Sequence, residues 1–142
     1  MVTSPYTFVV AAALIDQSGR ILLAKRSAYK AMAGLWEFPG GKVDDGETPD
    51  MAIIRELKEE LGITVSAKDL KPLTFVSHTY DTFHLFMPLY ICHAWQGEPK
   101  ALEHEDLAWV HADSLNTYEM PEADEPFIDA LQSYLKTIAI PT

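Results

Sequence analysis

Apolar residues run almost unbroken from Tyr6 to Ile15, give way to Asp16-Gln17-Ser18-Gly19-Arg20, and resume at Ile21-Leu22-Leu23-Ala24. This pattern predicts two strands joined by a turn and paired with each other. A further apolar stretch, Leu35-Trp36-Glu37-Phe38, is broken by Pro39, Gly40 and Gly41, residues that let a backbone turn sharply and approach a ligand closely. A polar loop leads through Glu47 to Thr48-Pro49-Asp50. Thr48 suits a helix cap, Pro49 the first helical position, and Asp50 the positive end of the helix dipole. Met51, Ala52, Ile54, Leu57 and Leu61 then recur at helical spacing, Ile53 widens their surface, and Gly62 fits the position just past the end.

Beyond this helix the period changes. Ile63-Thr64-Val65 reads as extended, as do residues 73–76 and 83–94, which are rich in aromatic and β-branched side chains. Residues 95–100 contain the Gly and Pro of a turn, 107–110 suggest one more short strand, and Phe127, Ile128, Leu131 and Leu135 predict a last helix. Strands, helix, strands, helix is an α/β order. Its partly hairpin-connected character fits a three-layer α/β/α arrangement better than a doubly wound parallel sheet.

A length of 142 residues bounds the chain to one domain, 1–142. Asp and Glu outnumber Lys and Arg 21 to 11, for a net charge of −10, which argues against a surface that grips a nucleic acid duplex. A free nucleotide arriving with Mg²⁺ remains compatible. Cys92, the lone cysteine, permits no intrachain disulfide and reads as core. The apolar start is too short to span a bilayer, and no Lys or Arg precedes it as in a signal peptide, so a cytoplasmic location is expected.

Candidate chemistry begins in the predicted helix. Glu56, Glu59 and Glu60 stand at i, i+3 and i+4 and crowd one face of it. A solvated acidic face is the ordinary origin of such a run. Near a helix C-terminus, however, each carboxylate meets the negative end of the dipole at roughly 0.3–1 kcal/mol. A divalent cation such as Mg²⁺ resolves the conflict, since it takes oxygen ligands and holds phosphate oxygens at the same time. Carbonyls of Gly40 and Gly41 could add a neutral ligand. Arg55, next to the cluster, can fix a carboxylate by a bidentate contact, with Glu47 as the obvious partner.

Gly41, five residues, Glu47, seven residues, Arg55-Glu56-Leu57, one residue, Glu59-Glu60, one residue, Gly62-Ile63 resembles the complete signature of the Nudix hydrolases, spanning residues 41–63. Seven of its positions demand one residue type, so a chance match at a given start is on the order of 10⁻⁹. The resemblance implies a mixed β-sheet sandwiched between α-helices, and Mg²⁺-dependent hydrolysis, with Mn²⁺ as a possible substitute, of a nucleoside diphosphate linked to another group. Within the family the chain looks most like the MutT-type enzymes, which convert 8-oxo-dGTP to the monophosphate and pyrophosphate. Leu23-Ala24-Lys25-Arg26, the stretch from Leu35 to Lys42, Gly97-Glu98-Pro99 and the stretch from Pro121 to Pro126 carry that closer likeness.

Carried over residue by residue, the resemblance assigns the metal to the Gly40 carbonyl, Glu56, Glu59, Glu60 and Glu103. It gives catalytic roles to Glu56, Glu59, Arg55 and Glu103, loop anchoring to Gly41 and Glu47, and substrate contacts to Arg26, Phe38, Tyr80 and Asp124. Each outlying residue has an ordinary alternative: a solvated loop charge for Glu103, a strand-end charge for Arg26, plain packing for Tyr80. Asp124 departs from the best-known bacterial members, which have Asn there, and it also suits the cap of a helix starting at Glu125-Pro126. An ionised Asp accepts but does not donate, so it would face O6 of 8-oxoguanine unfavourably unless protonated. That leaves oxidised pyrimidine triphosphates, ordinary nucleoside triphosphates or nucleoside diphosphate sugars as alternative substrates, and a non-catalytic nucleotide-binding module as a further reading. None of the five histidines forms a close metal-ligand pair, and all are expected to be structural or on the surface. A small nucleotide is the expected partner of a monomer or homodimer, with no duplex and no membrane.

Overall fold

In the computed structural model, which describes residues 5–138, strand β1 (Tyr6–Leu14) runs through the centre of the molecule. Its second half, Val10 to Leu14, is buried on both faces. Alternation splits those residues between two cores. Val10, Ala12 and Leu14 pack with Ala52, Ile53, Leu57 and Leu61 of helix α1 (Pro49–Leu61), and Ala11 and Ala13 pack with Phe127 and Leu131 of helix α2 (Pro126–Thr137). Helices therefore cover both faces of one sheet.

That sheet has the order β4-β1-β6-β5, built from β4 (Gly40–Lys42), β5 (Leu70–Thr79) and β6 (His84–Cys92) around β1. It is mixed, because β1 runs parallel to β6 while β4 and β5 are antiparallel to their neighbours. A second, antiparallel sheet of order β3-β2-β7 joins β2 (Arg20–Lys25), β3 (Trp36–Glu37) and β7 (Asp106–His111). Among the described residues no helix is long and apolar enough to cross a membrane.

The expected pairing of the first two strands is corrected. Asp16 closes the turn by accepting from the Ser18 and Arg20 amides, but pairing stops at the single bridge Ile15 to Ile21. The reason is competition: β4 occupies the edge of β1 that a hairpin partner would need, in the register Val9 to Lys42, Val10 to Gly41 and Ala11 to Gly40. Residues 63–65 likewise make one bridge, Thr64 to Gln96, rather than a strand. Thr48 does occupy the N-cap of α1, yet its hydroxyl accepts from no backbone amide and instead donates to the Asp50 carboxylate. Gly62 ends α1 with a left-handed φ of 73°, and its amide donates to the Lys58 carbonyl. Asp124 is not the cap of α2; Glu125 holds that position, and Asp124 ends a short 3₁₀ turn, Glu122–Asp124.

Candidate active site

A cavity of about 400 Å³ opens where β4, the end of β2 and the C-terminal half of α1 meet. Its floor depends on Gly40 and Gly41. A Cβ on Gly40 would collide with the Val10 carbonyl oxygen, and one on Gly41 would lie 2.5 Å from the Glu56 carboxyl carbon. Only glycine lets β4 press against β1 and the helix carboxylates at once.

Arg55 ties this corner together. Its Nε and Nη2 donate to the two oxygens of Glu47 at 2.8 and 2.9 Å, and Nη2 also reaches the Lys42 carbonyl at 3.1 Å. Its Nη1 donates to Glu56 at 2.9 Å and to Glu59 at 3.3 Å. One planar group thus fixes the loop 42–47 against α1, and the Arg55 guanidinium holds the Glu47 carboxyl down to about pKa 2.

The three glutamates of the helix face are not equivalent. Glu56 and Glu60 line the cavity, whereas Glu59 is half-exposed, bonded to Arg55 and not in the cavity wall. Glu60 is 3% exposed; burial, then the adjoining Glu56 carboxylate and the charges of Glu37 and Glu103, raises its pKa far above the ordinary range. Its Oε2 is buried without a hydrogen-bond partner. Glu103, on the loop before β7, reaches the same wall although exposed.

At the far end stand Arg26, Phe38 and Asp124. Phe38 is buried edge-on against Phe127, and its amide donates to Asp124 Oδ2 at 3.3 Å. Asp124 is 7% exposed; burial, reinforced by the charge of Glu37 and opposed by the Phe38 amide and Arg26, lifts its pKa to about 7. Tyr80 is not in the cavity wall; its ring stacks on Phe83 at 4.7 Å. Two residues not singled out beforehand join the two ends. Glu37 accepts from Arg26 Nη1 at 2.8 Å and pairs with His104 Nε2 at 2.9 Å. His104, which the sequence leaves as structural or superficial, has a side chain only 8% exposed that walls the cavity. A charged residue between Trp36 and Phe38 was a signal for Glu37; His104, flanked by acids in a loop, offered none.

The donor set suits a hard divalent cation. Among the described residues no three carboxylate, imidazole or thiol groups stand ready at ligand geometry. Yet a partnerless buried oxygen on Glu60, beside a second carboxylate, is the chemistry that a cation with oxygen preference satisfies.

A cavity floored by two glycines and walled by Glu56, which Arg55 holds, and by the buried Glu60 is a setting suited to a hydrolase of phosphate compounds. The NUDIX domain pattern matches residues 10–130, and the chain belongs to the Nudix hydrolase family. Members of this family generally use divalent metal ions and small nucleotide substrates. The chain is 36% identical over 126 residues to the CTP pyrophosphohydrolase of Escherichia coli, covering 87% of this chain and 90% of that one. It is 34% identical over 117 residues to the 8-oxo-dGTP diphosphatase of the same organism, covering 82% and 89%. The crystal structure of the MutT Nudix hydrolase from Burkholderia pseudomallei superimposes with a TM-score of 0.77 at 36% identity, over 89% of this chain and 96% of that one. The mixed sheet between helices is the Nudix fold.

Proposed function

We propose that the protein hydrolyses 8-oxo-dGTP to 8-oxo-dGMP and pyrophosphate with Mg²⁺, or Mn²⁺ in its place, and so removes an oxidised precursor from the nucleotide pool. The carrying observation is the cavity's polarity: box carboxylates Glu56 and Glu60 at one end, and a buried, readily protonated Asp124 at the other. In its neutral form Asp124 both donates and accepts, which matches O6 and the N7–H of 8-oxoguanine. Phe38 supplies an apolar wall for the base, and Arg26 a donor edge; Tyr80 would have to move to take part in stacking.

Glu56 and Glu60, with the Gly40 carbonyl and Glu103, would hold the cation, and Glu59 would join them only by turning from Arg55 into the cavity. When bound, it would supply positive charge against the polyphosphate oxygens and make an attacking water more acidic. Arg55 keeps Glu56 in one rotamer and, through Glu47, keeps the loop against the helix. Glu56 or Glu103 takes the proton as water attacks the β-phosphorus in line and the bridging oxygen leaves with the monophosphate. A single domain suffices for this, as a monomer or homodimer acting on free nucleotide in the cytoplasm, with no part for a duplex or a membrane.

A second reading, a pyrimidine triphosphate, is favoured by one observation. Ionised Asp124 accepts from an exocyclic amine but has nothing to donate to O6, and a relative of 36% identity bears the name CTP pyrophosphohydrolase. Measuring kcat/KM for 8-oxo-dGTP, dGTP, CTP, oxidised dCTP and ADP-ribose tests both. A clear preference for 8-oxo-dGTP is expected; preference for a cytosine nucleotide would replace the first reading with the second.

A further inference from the structure

Glu37 sits between the two ends of the cavity, and both of its oxygens are engaged. Oε1 takes the Arg26 guanidinium at 2.8 Å, and Oε2 the His104 ring at 2.9 Å. A carboxylate held at both oxygens has one rotamer; held at one, it turns about its last bond. Arg26 spends its other anchored nitrogen on loop 27–34, where Nε donates to the Ala31 carbonyl at 2.7 Å. Among the described residues Nη2 of Arg26 has no partner, which leaves one edge of the fork for a ligand.

His104 itself has few ways to move. Its side chain is 8% exposed, and the segment carrying it is pinned on both sides: the Leu102 amide donates to the Glu60 carbonyl at 3.1 Å, and the Glu105 amide to the Lys25 carbonyl at 2.9 Å. The ring therefore acts as a fixed post, with the carboxylate and then the guanidinium leaning on it. The remaining ring nitrogen, Nδ1, is buried without a partner, 3.6 Å from Glu60 Oε1. An imidazole kept for stability alone would be expected to satisfy both nitrogens.

We propose that His104 is a positioning residue for nucleotide binding: through Glu37 it fixes the free edge of Arg26 against the nucleotide. This rests on the proposed function only in taking a nucleotide as the ligand. Because His104 acts here on Arg26 by way of the Glu37 carboxylate, its loss acts on affinity more than on the chemical step. Partners that orient metal ligands are worth about 10–100-fold in metal affinity or activity, and by analogy the lower end suits a nucleotide contact held through a chain of two bonds.

The test measures the dissociation constant of 8-oxo-dGMP by calorimetry in EDTA, and separately kcat and KM for 8-oxo-dGTP in Mg²⁺. His104→Ala is expected to weaken binding and raise KM about tenfold with kcat within about threefold, and His104→Gln, which keeps an N–H near the Nε2 position, to recover most of the loss. In an Arg26→Ala background, where the guanidinium is gone, His104→Ala is expected to cost less than about twofold. Unchanged affinity in His104→Ala overturns the proposal, and so does an equal loss with and without Arg26. Should His104→Ala fail to fold, Glu37→Gln carries the same test, with unchanged affinity again overturning it. Hydrolysis of no triphosphate, together with His104-dependent binding of 8-oxo-dGMP, would sink the proposed reaction and leave this inference standing. Hydrolysis with His104-independent binding would do the reverse.

Discussion

Two adjacent glycines allow stability and chemistry to be perturbed separately. Neither Gly40 nor Gly41 has the left-handed backbone that would demand glycine, so replacing each by Ala acts through space alone. At Gly40 the added methyl would overlap the Val10 carbonyl oxygen and lie 2.8 Å from Ala11 Cα, both backbone atoms of the paired strand. Nothing flexible can yield, and relief requires opening the Ala11 to Gly40 register. Overpacking of this kind costs about 3 kcal/mol, which for a domain of this size lowers Tm by roughly 10 °C. At Gly41 the methyl instead meets the end of the Glu56 side chain, 2.5 Å from its carboxyl carbon and 2.6 Å from each oxygen. Ordinary contact begins near 3.4 Å, so the carboxylate must swing by about 1 Å, away from its 2.9 Å bond to Arg55, while the backbone stays put. A displacement of that size at a reacting group costs about 100-fold in kcat/KM. Thermal unfolding and steady-state kinetics on the two variants should therefore cross over: Gly40→Ala loses Tm, Gly41→Ala loses kcat/KM at nearly native Tm. Wild-type kcat/KM in Gly41→Ala would refute the place given to the Glu56 carboxylate.

Replacing Arg55 by Lys keeps a charge but gives up the two-pronged grip on Glu47, so kcat should fall at least tenfold and protease cleavage within residues 42–47 should rise; an intact loop and native rate would count against the anchoring role. Glu56→Gln should lower kcat in Mg²⁺ by about 10²–10⁴-fold as for a lost general base, Glu59→Gln should lower it too, and wild-type rates in both would refute the carboxylate assignment. Running the reaction in ¹⁸O water should put label in pyrophosphate, and label in the monophosphate would reject attack at the β-phosphorus. Asp124, whose pKa rises from 3.8 unfolded to about 7 folded, keeps its proton in the native state over that interval, so its stabilising share is present below about pH 4 and is lost as pH rises to 7. Asp124→Asn should flatten that decline in Tm and remove the rise in KM for 8-oxo-dGTP above pH 7; an unchanged profile in both would show that another group titrates.

The two helices and most strands were legible because burial imposes period on sequence. Leu57 and Leu61 repeat at helical spacing, and Gly62 stops α1 where its left-handed φ requires. The place of Glu56 and Glu60 was legible for a related reason, since spacing along one helix brings them to one face, whereas the turn of Glu59 away from the cavity to Arg55 was not. The partner of β1 was not legible. Its run from Val10 to Leu14 is buried on both faces and so carries no alternation to declare a neighbour, and local turn chemistry at Asp16 pointed to the wrong one. His104 was silent because its significance lies in Glu37, 67 residues away, which no local pattern connects to it.

Charge explains why the site sits where it does. The wall contains the carboxyls of Glu37, Glu56, Glu60, Glu103 and Asp124 against the cations of Arg26, Lys30 and Lys42. Arg26 is committed to Glu37, and Arg55 reaches Glu56 on the side toward the loop, so the uncompensated acidity concentrates on Glu60. A protein that only needed a stable helix would gain by an apolar residue there, as burying an unpaired carboxyl costs more than it returns. The same placement becomes favourable once a cation and a polyphosphate enter together, because low surrounding polarity strengthens attraction as much as it punishes isolation. With the proposed cation bound, the deficit at Glu60 would be offset within the site, and without it the two well-packed cores on either side of β1 carry the fold.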